Sequence, residues 1–144
     1  TVNRKVRAAL DAGLNAIICC GELLSERQAG DTDGIVAAQV RAALDGVSED
    51  DAANVIVAYE PVWAIGTGKT ATPDMAVEVH KLIRSIWAEE HGQDVADNLQ
   101  ILYGGSVKPE NSTDLLGQEE IDGALIGGAS LSKDKFLAII SSVI

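Results

Sequence analysis

Glu60 stands where a carboxylate could act as a general base. The run before it, Asn54-Val55-Ile56-Val57-Ala58-Tyr59, is mostly apolar and β-branched and reads as a buried strand. Pro61 stiffens the backbone directly after it. Chemistry in α/β folds collects at the carboxyl ends of parallel strands, so an acid here is a candidate for proton transfer. A structural ion pair is the other reading of such an acid. Two glycine pairs could serve a different purpose. Gly104-Gly105-Ser106 and Gly127-Gly128 each follow an apolar run. Glycines let backbone N–H groups approach an oxyanion closely, and a helix start nearby favours negative charge. Each pair alone also suits a tight turn. Lys108, beside Pro109, reads as a solvated charge.

These residues need elements to position them. Residues 61–71 carry Gly66 and Gly68 and show neither a helical nor a strand period, which makes them a candidate lid. Thr72-Pro73-Asp74 is a helix start, with a capping hydroxyl, proline in the first turn and an early acid. The helix predicted over 73–91 buries Val79, Ile83, Ile86 and Trp87, and Gly92 ends it. Earlier in the chain, Val2, Val6, Ala9 and Leu10 share one helical face, with Gly13 as C-cap. A strand follows over 15–20, then Gly21-Glu22 and a polar loop through Asp33. The next helix, 35–44, turns Val36, Val40, Ala43 and Leu44 inward and ends at Gly46. Residues 48–53 are an acidic loop or a single helical turn. After the long helix come a strand over 99–103, a short helix holding Leu115 and Leu116, a strand over 121–126, and a helix from Lys133 to about Val143. That last helix shows an apolar stripe of Phe136, Ile139, Ile140 and Val143. Strand and helix alternate four times, which predicts a parallel sheet with right-handed crossovers. The strands are apolar on both faces, as buried parallel strands are. Glu22 ends its strand either as a solvated acid or as a brace near Trp63. His80 and His91 read as surface histidines.

The 144 residues suffice for one core, with 47% hydrophobic residues and no low-complexity tract. A net charge of −11 offers no basic face to nucleic acid. It also means that an anionic ligand must be bound by local donors, against the overall field. No uncharged run approaches a membrane span and no signal-peptide pattern is present. Cys19 and Cys20 are neighbours in a predicted strand, so they point to opposite faces and do not pair. That fits a reducing cytosol. Two neighbouring thiols are too few ligands for a metal site.

Three stretches together resemble the triosephosphate isomerase family: AYEPVWAIGTGKTAT at 58–72, YGGSVKP at 103–109, and DGALIGGASL at 122–131. The resemblance implies an α/β fold that is half of a (β/α)8 TIM barrel, with residues 1–144 forming the fifth to eighth βα units as one partial domain. A full barrel takes ~250 residues. It implies that Glu60 is the base interconverting dihydroxyacetone phosphate and glyceraldehyde 3-phosphate through an enediolate. Gly66, Ser106, Gly127 and Gly128 would donate to the phosphate, with Leu125 lining the site; barrels place phosphate at their last two strands. Pro61, Val62, Trp63, Ala64, Ile65, Thr67, Gly68 and Lys69 would form the lid with Gly66, and Tyr103 and Ser106 would latch it. Lys69 is a hinge or surface charge. No cofactor or metal is implied, and the setting would be cytoplasmic, in glycolysis and gluconeogenesis, as a homodimer. The family's electrophilic histidine, its substrate-contacting asparagine and lysine, and its dimer loop belong to the N-terminal half-barrel, which is expected to precede Thr1. This chain alone is then expected to be inactive or very weak. Two other readings stand beside it: a half-barrel that pairs with a second copy of itself without catalysis, and a flavodoxin-like module that binds a phosphate ion.

Overall fold

A computed structural model describes residues 2–67 and 69–143. Helix α1 (Val2–Asp11) leads into strand β1 (Ala16–Cys20), followed by α2 (Leu24–Ala29), α3 (Thr32–Leu44) and α4 (Glu49–Ala52). Strand β2 (Val55–Tyr59) opens on the 3₁₀ turn Val62–Ala64 and then α5 (Pro73–His91) and α6 (Gln93–Asp97). Strand β3 (Ile101–Tyr103), α7 (Pro109–Leu116), strand β4 (Gly123–Ala124), the 3₁₀ turn Gly128–Leu131 and α8 (Lys133–Ser141) complete the order.

The four strands are parallel and lie in chain order, β1-β2-β3-β4. Each crossover steps one strand in the same direction. A doubly wound sheet reverses its order at a switch point, whereas a barrel wall does not. The arrangement is therefore an arc of a TIM barrel, and the reversal that a flavodoxin-like sheet requires is not found among the described residues. Register aligns the carboxyl ends: Cys20 pairs with Tyr59, Tyr59 with Tyr103, and Tyr103 with Ala124. All four strand-end loops consequently open at one end of the sheet.

One face of the sheet is covered. Val57, Tyr59, Ile101 and Tyr103 pack against Val36, Val40, Val79, Ile83, Ile86 and Trp87, and all of these are buried. Arg84 ties the helical layer to the strands. It donates to the carbonyls of Ala96 and Leu99 at 2.7 and 2.9 Å and pairs with Asp122 at 2.9 Å. Asp122 in turn accepts from Ile101 N at 2.7 Å.

Several expectations are corrected. The strands are apolar on both faces, but β1 alternates buried and exposed, with Ile17 50% exposed and Cys19 also open. No described layer packs over that face. The polar stretch before Asp33 contains α2, stopped by Gly30 at φ 81° and started by Glu26, which accepts from Leu23 N at 2.7 Å. The strand expected over 121–126 narrows to Gly123–Ala124, because pairing with β3 is bounded by Asp122 N to Ile101 O and Leu125 N to Tyr103 O. Of the α8 stripe only Ile139 is buried, with Phe136 37% and Val143 53% exposed. His80 is not a surface histidine. It is fully buried, with Nδ1 2.9 Å from Glu120 O and its ring edge-on to Tyr59. The α5 helical period turns it onto the sheet side with Val79 and Ile83. His91 is half-buried against Trp87, with ring centroids 5.7 Å apart.

Candidate active site

Glu60 leaves β2 between two backbones. Its N–H donates to Cys20 O at 2.7 Å, and Gly104 N donates to Tyr59 O at 2.7 Å. Gly21 packs directly on the Glu60 carbonyl, and a Cβ on Gly104 would lie 2.5 Å from Glu60 Cγ and 3.2 Å from Oε1. Only glycines let both flanking strand ends close on the acid in this way. Cys19 faces it on the uncovered side. Its thiol pKa is raised, first by partial burial and then by the charge and hydrogen bonding of Glu60. Cys20, on the covered face, is pushed up to about 12 by burial.

The segment after Glu60 is anchored at its stem by a buried acid. Glu22 is fully buried, so it is not the solvated acid that its strand-end position also allowed. It accepts from Trp63 Nε1 at 2.9 Å, from Tyr59 OH at 3.1 Å, and from Arg27 Nη1 at 3.0 Å. Its backbone carbonyl takes Val62 N at 3.1 Å. The Arg27 guanidinium also lies over the Trp63 ring, 5.4 Å from the centroid. Burial and then the adjacent Glu22 charge raise the Tyr59 phenol pKa, so Tyr59 stays a donor. A buried carboxylate is tolerated here because a cation and two neutral donors meet it together.

Beyond the stem, Pro61 and Ala64 are buried, while Val62, Ile65, Gly66, Thr67 and Lys69 are exposed. Gly66 turns at φ 67°, and Thr67 Oγ1 donates to Trp63 O at 2.7 Å and accepts from Lys69 N at 3.2 Å. Gly68 lies outside the described residues. The far end is held by Tyr103, whose hydroxyl accepts from Ala71 N at 3.3 Å. Thr72 caps α5 by accepting from Met75 N at 3.3 Å.

The glycine loops converge. Ile65, Gly66, Gly104, Gly105, Ser106, Gly127 and Gly128 line one cavity of about 450 Å³, together with Lys108, Glu110 and Lys135. That volume suits a small-molecule site. Glu60 fronts an adjoining cavity of about 490 Å³ with Cys19, Gly21, Gln39 and Val62. Gly104 joins the two, since it lines the first and touches Glu60. Leu125 is half-buried, donates to Tyr103 O at 3.0 Å, and is not on the lining of either cavity. Ser106 reaches the cavity wall, but among the described residues no hydrogen bond joins its hydroxyl to residues 61–72. Among the described residues no cluster of three His, Cys, Asp or Glu side chains could hold a metal ion. No described helix is long and apolar enough to cross a membrane.

A family profile described as Triosephosphate isomerase matches residues 1–143. The chain belongs to the triosephosphate isomerase family. It is 56% identical over 141 residues to a triosephosphate isomerase of Fusobacterium nucleatum, covering 98% of this chain and 56% of that protein. A triosephosphate isomerase of Roseiflexus sp. is 56% identical over 139 residues, covering 96% and 55%. One of Solibacter usitatus is 49% identical over 141 residues, covering 98% and 57%. The chain thus spans about half the length of the curated relatives it matches.

The sequence alone did not point to three positioning side chains of this site. Asn111 donates to Ser106 O at 3.0 Å and accepts from Lys108 N at 2.7 Å, so it shapes the loop after β3. Its place three residues past Lys108, the residue that caps α7, is the available sequence signal. Arg27 and Gln39 gave none. Gln39 meets both the N–H and the carbonyl of Gly21, at 2.8 and 3.1 Å, from the middle of a helix.

Proposed function

We propose that Glu60 is the base of a triosephosphate isomerase reaction. Its carboxylate removes a proton from the carbon beside the carbonyl of dihydroxyacetone phosphate. The electrons of the C–H bond become the double bond of an enediolate while the carbonyl π electrons move onto its oxygen. That oxygen takes the proton of the neighbouring hydroxyl, and Glu60 returns its own proton to the former carbonyl carbon, giving glyceraldehyde 3-phosphate. No net oxidation occurs and no cofactor is consumed. The observation that carries this reading is Glu60 clasped between Gly21 and Gly104 at a strand end, one residue's width from a glycine-lined cavity. Clasping limits how far the carboxylate can wander, and positioning of this kind is a large part of proton-transfer catalysis.

The phosphate sits, in this proposal, against the N–H groups of Gly66, Ser106, Gly127 and Gly128. Pro61, Val62, Trp63, Ala64, Ile65, Thr67, Gly68 and Lys69 close over it with Gly66, Tyr103 and Ser106 acting as latches. The closing loop of this family is itself a standard case of a lid that excludes water. The proposed setting is cytoplasmic sugar metabolism. Activity belongs to an assembly in which the other half-barrel supplies the groups that stabilise the enediolate charge. A loss of at least ~10⁴ is expected for these residues alone, from two missing electrostatic contacts.

The test is complementation. The chain is combined with the N-terminal half of a relative, and isomerase turnover is followed in a coupled assay. Turnover should appear in the combination, and Glu60→Gln should lower it by ~10²–10⁴, the usual worth of a general base. A folded combination in which Glu60→Gln turns over as fast as the parent would sink the assignment.

A second reading concerns assembly. The uncovered face and free edge of β1 expose Ile17 beside the cavity in front of Cys19 and Gln39. We propose that this edge is covered by another half-barrel, either the N-terminal half of the family domain or a second copy.

A further inference from the structure

Resting on the phosphate-cradle reading of the same site, we propose that Lys108 and Lys135 form a cationic mouth that draws the phosphate group into the glycine cradle. The two lysines come from different elements. Lys108 precedes α7, and Lys135 lies in the first turn of α8. Both line the cavity of about 450 Å³ that Gly104, Ser106, Gly127 and Gly128 also line. Glu110 is the acid on that wall, so two lysines against one glutamate leave a single net positive charge there. The whole chain carries −11. The cavity is therefore a local reversal of the molecule's charge.

The need for such a reversal is physical. Backbone N–H groups of glycines are neutral donors and offset only part of a dianion's charge. The acidic surface repels the same ion from a distance. Screening confines that repulsion to about 8–10 Å at ordinary salt, so charges at the cavity mouth decide whether an anion enters. Lysine suits the task, because its ammonium is a compact charge on a flexible stem that can follow an ion inward. Both lysines are exposed, and among the described residues neither forms an ion pair. Their charges are not consumed structurally. The Lys108 backbone is nevertheless fixed, since Asn111 accepts from its N–H at 2.7 Å while donating to Ser106 O at 3.0 Å. The backbone is held, and among the described residues the ammonium has no ion-pair partner.

The experiment titrates the isotopically labelled chain with inorganic phosphate and follows the amide signals of Gly127 and Gly128 by NMR, at low and at high salt. The double variant Lys108→Gln, Lys135→Gln should bind about five- to tenfold more weakly at low salt, and the gap should narrow at high salt. Glu110→Gln should bind about two- to threefold more tightly at low salt. Replacing both lysines by arginine should retain most of the affinity. Lys81→Gln removes a charge from α5, on a different cavity shared with Arg84 and Glu120, and should change nothing. Glycine signals that shift equally in the parent and in the lysine double variant overturn the proposal and leave the cradle standing. An equal loss in Lys81→Gln overturns it as well, by showing a bulk charge effect. Glycine signals that do not move in the parent remove the cradle reading and this proposal with it.

Discussion

At the residue scale, burial decides behaviour that residue type leaves open. His80 and His91 share one helix and one chemistry, yet only His80 is fully enclosed. Burial lowers its pKa to about 4 from an ordinary 6.5. The groups facing it are the Glu120 carbonyl, Asp122 and Arg84, with Tyr59 against the ring. The sign follows from linkage. The unfolded chain takes up the proton near pH 6.5, whereas the folded chain resists until about 4. The contribution of neutral His80 is therefore complete above pH 6.5 and is lost as pH falls towards 4, with an upper bound of about 3 kcal/mol. Urea unfolding of the parent and of His80→Gln at pH 7.5 and 4.5 measures it. The parent should lose more stability than the variant between the two pH values. Equal losses would show that carboxylates alone set the acid limit.

At the element scale, the stem of the 61–72 segment is defined by contacts that span three parts of the chain. Glu22 closes β1, Arg27 comes from α2, and Tyr59 and Trp63 flank Glu60. The pairing of β1 with β2 puts Glu22 beside the segment, and α2 then brings the arginine back over it. Trp63→Phe keeps the ring and removes one donor to the buried carboxylate. Arg27 and Tyr59 still meet Glu22, so the cost should be about 1–3 kcal/mol in urea unfolding. Glu22→Ala removes the acceptor for all three donors and should cost more than Trp63→Phe. A Trp63→Phe variant as stable as the parent would show that the Trp63 bond contributes nothing measurable. The glycine loops obey the same logic, since Gly104 is demanded by the Glu60 side chain and not by its own turn.

At the scale of the whole molecule, the sheet β1-β2-β3-β4 leaves the Ile17 and Cys19 face of β1 exposed. Helices cover the side with Val57 and Ile101, where Ile83 and Trp87 of α5 are buried. Ile17 and Cys19 look out from the other side, and Gln39 occupies the edge only at Gly21. Open edges and apolar patches favour association. Light scattering of the chain at tens of micromolar should report a dimer or larger species, and Ile17→Lys should shift it towards monomer. A parent that stays monomeric in that range would refute self-pairing.

Much of this was legible in the residue string. The run 54–59 read as a strand because Val55, Ile56 and Val57 are β-branched and the apolar stretch continues to Tyr59, and the structure has the strand over Val55–Tyr59. Thr72-Pro73 started a helix because the hydroxyl and the fixed φ act within one turn. The opposite faces of Cys19 and Cys20 followed from the two-residue period of a strand, and the motifs around Glu60 and the two glycine pairs led to the right family. These properties are local, set by a residue and its near neighbours. Tertiary structure alone decided the rest. It buried Glu22 with Arg27 and Trp63, enclosed His80, set Leu125 off the cavity wall, and brought Lys108 to the same cavity as Lys135. It also left one face of β1 uncovered. Each of these depends on what packs against a surface from far along the chain, and periodicity carries no record of the partner.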